Sequence, residues 1–95
     1  MVKVSMSEHG IQMEGHAEMS VNGQDIVCAA ISALTCNLIN SLQTFTDDII
    51  LTREACTGWV SIEWEKLSDS GKLLVDSWYL GLTAINQEYN CIKFV

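Results

Sequence analysis

The chain has 95 residues, 48% of them hydrophobic, no proline, and a formal net charge of −7. That length and apolar content suit one domain over residues 1–95, and no linker composition divides it. Twelve acidic against five basic residues argue against a basic nucleic-acid surface.

The N-terminal MVKVSMSEHG lacks the apolar run of a signal peptide, and no window reads as a membrane span. The expectation is a soluble protein that stays where it is made. Val2, Val4 and Met6 alternate with Lys3 and Ser5, the period of a half-buried strand. Ser7-Glu8-His9-Gly10 reads as a turn. Ile11 and Met13 then alternate with Gln12 and Glu14, so the two strands form a hairpin. The second strand is expected to end at Gly15, just before His16. Residues 17–24, AEMSVNGQ, read as a loop, with Asn22-Gly23 as its turn because both tolerate positive φ.

Asp25 is the expected N-cap of a first helix running from Ile26 to Leu42. Val27, Ile31, Leu34, Leu38 and Leu42 form its apolar stripe, while Ala29, Ala30 and Ala33 leave another side small. So apolar a helix is either the central core helix or is partly covered by a second subunit. Asp48 to Arg53 reads as a third strand, Thr57-Gly58 as a turn, and Val60, Ile62 and Trp64 as the inward residues of a fourth strand. Trp64 belongs in the core; Trp59 has the opposite parity and is a candidate to line a groove or a dimer contact. Ser68-Asp69-Ser70 supplies caps for a second helix over Gly71 to Asn90, with Asn90 as C-cap. Its inward face is read as Leu74, Trp78, Gly81, Leu82, Ile85 and Tyr89. Cys91 to Val95 makes a last short strand. The order ββαββαβ predicts an α+β fold of two layers, a largely antiparallel sheet with two helices packed on one face.

Four cysteines, Cys28, Cys36, Cys56 and Cys91, show neither a CxxC nor, with the two histidines, a zinc spacing. No metal or other cofactor is called for, and free thiols are expected. With Asp25 as N-cap, Cys28 falls in the first helical turn, where free amides and the helix dipole favour a thiolate. His16 stands twelve residues before it, an imidazole able to pair with the thiolate and to shuttle a proton. Ser32 lies one turn beyond Cys28 on the same face, as a possible hydrogen-bond partner or an ordinary helical serine. Cys36, Cys56 and Cys91 read as buried structural residues and His9 as a surface residue. On residue chemistry alone, Cys28 reads more readily as a small core hydrophobe than as a nucleophile.

The string widens that reading. Gly15-His16-Ala17, then a loop, then Asp25-Ile26-Val27-Cys28-Ala29-Ala30 with Ser32-Ala33 resembles the ribosomal-processing cysteine protease family, Prp. The ending AINQEYN is also similar to that family's last helix. The loop departs from the family's glycine-rich pattern at Glu18, Met19, Ser20 and Val21, which with Asn22 and Gly23 form the candidate substrate loop. The resemblance implies a homodimeric bacterial cytoplasmic endopeptidase that removes an aromatic-ended N-terminal extension from the twenty-seventh protein of the large ribosomal subunit. It implies Cys28 as nucleophile and His16 as its acid and base, while charge and hydropathy call for no nucleic acid or membrane partner. A phage-borne relative cutting capsid or scaffold proteins fits the same residues. So do a non-catalytic interaction module and a different thiol enzyme, such as a thioesterase or a redox protein.

Overall fold

The structure, a computed structural model, describes residues 1–15, 21–56 and 58–95. The elements follow the order β1 (Val2–Ser7), β2 (Gly10–Glu14), α1 (Val21–Phe45), β3 (Ile50–Cys56), β4 (Trp59–Trp64), α2 (Asp69–Tyr89) and β5 (Ile92–Phe94). The five strands form one sheet in the order β3-β4-β2-β1-β5. All neighbours are antiparallel except β1 and β5, which run parallel. The expected α+β order is therefore observed, with one parallel pair at the edge.

Period-two alternation does the sorting. Val2, Val4, Ile11, Met13, Ile62 and Trp64 point to one face and are buried there. Lys3, Gln12, Glu14 and Glu63 point to the other and are exposed. Both helices cover the apolar face. Val27, Ile31, Leu38, Ile39 and Leu42 of α1 and Val75, Trp78 and Leu82 of α2 join the strand residues in one core. The helices run antiparallel: Leu34 packs against Gly81, where a Cβ would approach its Cδ1 to 2.9 Å, and Ser41 shares a crevice with Leu74 farther along.

The start of α1 differs from expectation. It begins at Val21, so Asn22-Gly23 is not a turn and residues 21–24 are not loop. Asp25 is the fifth residue of the helix and cannot be its N-cap. Asparagine and glycine are poor helix formers, but the cost is at most about 1 kcal/mol each, and tertiary packing overrides it. Residues 17–20 of the expected loop lie outside the described residues.

Helix α1 also holds a span, Ile26–Phe45, long and apolar enough to cross a membrane by length and composition, at mean hydropathy 1.5. The expectation that no window reaches this is corrected. The span contains no charged residue, and the stripe from Val27 to Leu42 packs into the core. Strand β3 begins two residues later than read, at Ile50, because Asp48 is engaged elsewhere. Its carboxylate accepts from the backbone N–H and the hydroxyl of Ser68, at 3.0 and 2.8 Å. Ser68 in turn caps α2, accepting from the Gly71 N–H at 3.1 Å. At the other end Asn90 adopts the left-handed conformation, φ 50°, and closes the helix as expected.

Candidate active site

A cleft of about 300 Å³ opens where the N-terminal half of α1 meets the ends of β2 and β4. Cys28, Ile31 and Ser32 line it from α1, Met13, Glu14 and Gly15 from β2 and its exit, and Gly58, Trp59 and Val60 from the β3–β4 turn and β4. Val2 completes it. The lining is mostly apolar, with Glu14 as its charged member.

Local backbone shapes the mouth. Gly15 leaves β2 at φ 98° and Gly58 turns at φ 80°, conformations that side chains rarely adopt. The Gly15 N–H donates to the Gly58 carbonyl at 2.9 Å, which extends the β2–β4 ladder by one rung to the cleft. A side chain at Gly15 would also collide with the Met1 carbonyl, whose oxygen lies 2.8 Å from the Cβ position. Glycine is thus required at 15 both for its conformation and for space.

Cys28 is half-buried, with its side chain against the core and its exposed part in the cleft. Ser32 lies one turn on in the same cleft and is exposed. Of the other candidates, Val21, Asn22, Gly23 and Asp25 are in the backbone of α1. His16, Glu18, Met19 and Ser20 lie outside the described residues; the chain enters that segment from Gly15, at the cleft wall. The cysteine is not in the first helical turn. It is the eighth residue of α1, roughly 10 Å along the axis from Val21 at 1.5 Å per residue. Dipole effects and free amides belong to the first turn, so neither reaches this sulfur.

The remaining thiols divide. Cys91 is buried, 2% exposed, as expected. Burial pushes its thiol above the ordinary value, a backbone hydrogen bond and the N-terminal ammonium oppose this, and the proximity of Cys28 adds to the rise. Cys36 is exposed, contrary to expectation. It falls on the outer stripe with Ala29, Ala33 and Asn40, all exposed, and away from Ile31, Thr35 and Leu38. His9 is exposed as expected, with Nδ1 2.9 Å from the Glu65 carbonyl. Trp59, singled out by parity, does line the cleft. No sequence signal marks Gly15 and Gly58 as wall residues, because only the ladder brings them together. Among the described residues no three side chains of His, Cys, Asp or Glu gather to hold a metal.

Comparison with known proteins decides the family, since the family described as cysteine protease Prp matches residues 1–92. The chain belongs to the ribosomal-processing cysteine protease family, Prp. A Prp from Mycoplasma pneumoniae is 34% identical over 74 residues, 78% of this chain and 70% of that protein. The ribosomal-processing protease Prp of S. aureus, solved with a covalently linked product peptide, superposes with a TM-score of 0.81 at 25% identity, over 98% of this chain and 94% of that one. The same Prp with a substrate peptide gives a TM-score of 0.82 at 24% identity, over 99% and 95%, and shares the fold. By membership in this family the protein is a cysteine protease.

Proposed function

We propose that this protein cleaves the N-terminal extension from the twenty-seventh protein of the large ribosomal subunit, with Cys28 as nucleophile and His16 as acid and base. One observation carries the reading: Cys28 lines a mostly apolar cleft whose wall includes Gly15, the residue directly before His16. The S. aureus Prp, crystallised with substrate and product peptides, shares the fold.

In the proposed reaction the Cys28 thiolate adds to the scissile carbonyl and forms a C–S bond. His16 gives its proton to the departing amine as the C–N bond breaks. Water, deprotonated by the same imidazole, then cleaves the thioester and frees the thiol. Because the helix terminus is too far from Cys28 to favour its thiolate, that task falls to His16. The apolar lining, with Trp59, suits an aromatic residue of the substrate. The net charge of −7 suits a basic substrate body. The same reading places the enzyme in the bacterial cytoplasm as a homodimer.

The test is incubation with the precursor ribosomal protein followed by intact-mass measurement. Wild type is expected to release one N-terminal peptide. Cys28→Ala and His16→Ala are expected to release none, a loss of at least about a thousandfold. Cleavage by Cys28→Ala at the wild-type rate would remove the nucleophile assignment.

A further inference from the structure

A buried polar contact beneath the cleft has no part in the chemistry just described. Thr35 is 3% exposed, one of few buried polar side chains among the described residues. Its hydroxyl donates to the Ile31 carbonyl at 2.8 Å and accepts from the indole N–H of Trp78 at 3.1 Å. The Sδ of Met13 lies 3.7 Å away on a third side. The hydroxyl has one proton, and the shorter contact to Ile31 takes it; the sulfur is then a close polar neighbour. One oxygen thus ties α1 to α2 and touches β2. Two of the residues it meets, Ile31 and Met13, line the cleft. Thr35 is seven residues from Cys28, two turns along the same face.

We infer that Thr35 and Trp78 are positioning residues that fix the rotation of α1 and so aim Cys28 into the cleft. Apart from an exposed hydrogen bond from Arg53 to Gln43 near its C-terminal end, at 3.2 Å, α1 joins the fold through the apolar core, and apolar contacts are not directional. Close packing of these side chains resists movement of the helix, and a directional bond adds to that resistance. A hydrogen bond from the α2 indole fixes one angle, and the low dielectric around it makes an unpaired indole N–H costly. A turn of α1 moves Cys28 relative to Gly15, and so relative to whatever follows Gly15. The inference rests on Cys28 being the nucleophile.

The test uses the full chain with Thr35→Val, Thr35→Ser and Trp78→Phe, read by cleavage kinetics and by the rate at which iodoacetamide labels Cys28. Ser68→Ala is the control, because it weakens α2 at its cap without touching this contact. Measurements are made where denaturant titration shows every variant to be folded. Thr35→Val and Trp78→Phe are expected to lower kcat and the labelling rate of Cys28 together by about tenfold, with KM little changed. Thr35→Ser, which keeps the hydroxyl, is expected to stay within about twofold of wild type. Thr35→Val with normal kcat and labelling, beside an inactive Cys28→Ala, overturns the positioning role and leaves the nucleophile standing. Full activity in Cys28→Ala overturns both.

Discussion

At the scale of single residues, the difference between Cys28 and Cys36 is the sharpest check on the proposed chemistry. The two lie eight residues apart on one helix, and both are open to reagent, one in the cleft and one on the outer stripe. Exposure alone would make Cys36 the faster to alkylate. If His16 holds Cys28 as thiolate, the order reverses at mildly acidic pH, where an ordinary thiol is almost fully protonated. Iodoacetamide labelling at about pH 6, resolved by peptide mass, is expected to modify Cys28 at least about tenfold faster than Cys36. His16→Ala is expected to abolish the difference, since no helix terminus remains to favour the thiolate. Equal rates in wild type would leave Cys28 as a packing residue. Part of this site was legible at residue scale: Cys28 as a candidate, which lines the cleft, and the parity that turned Trp59 away from the core. Thr35 was not, because its partner Trp78 is 43 residues away and no local pattern pairs a threonine with an indole.

Elements were legible to different degrees for physical reasons. The strands announce themselves, because one buried face and one wet face force alternation at Val2–Val4, Ile11–Met13 and Ile62–Trp64. The second helix declares both ends, through Ser68 and Asn90. The first helix hides its start, since Val21-Asn22-Gly23-Gln24 has the composition of a turn and Asp25 that of a cap. The outcome is testable by comparing the two candidate caps. Ser68→Ala removes an acceptor for the Gly71 N–H and a donor to Asp48, and is expected to cost about 1 to 2 kcal/mol in urea denaturation. Asp25→Ala, inside the helix, is expected to change stability by no more than about 0.5 kcal/mol. A cost of about 1 kcal/mol for Asp25→Ala would restore the later helix start, and with it a first-turn position for Cys28. Thus a stability measurement at Asp25 bears on the catalytic account: it decides whether the helix dipole or His16 alone favours the thiolate.

For the whole molecule, the burial of Cys91 ties stability to pH. Cys91 lies between α2 and β5, its carbonyl accepts from the Val2 N–H at 2.9 Å, and the residue is buried. Burial holds this thiol above the ordinary value of 9.0, and Cys28 raises it further. Unfolding exposes Cys91 to water and returns it to that value. Between the unfolded and the folded values the unfolded chain has released the proton while the folded chain keeps it. The unfolded state then binds fewer protons, and stability falls as pH rises. The contribution is complete below pH 9.0 and is lost as pH climbs through the higher folded value. The melting temperature is therefore expected to decline from about pH 9 upward, reversibly and under reducing conditions. Cys91→Ala lowers stability at every pH through the lost packing, yet its alkaline slope is expected to be shallower than that of wild type. The slope, not the absolute stability, carries the claim, because a cavity costs the same at pH 7 and pH 10. Parallel slopes in the two proteins would show that tyrosine or lysine titration governs the alkaline limit. Cys28→Ala gives the companion reading. It removes a neighbour that raises the Cys91 thiol, so it is expected to reduce the slope in part, an effect visible without substrate and independent of any protease activity.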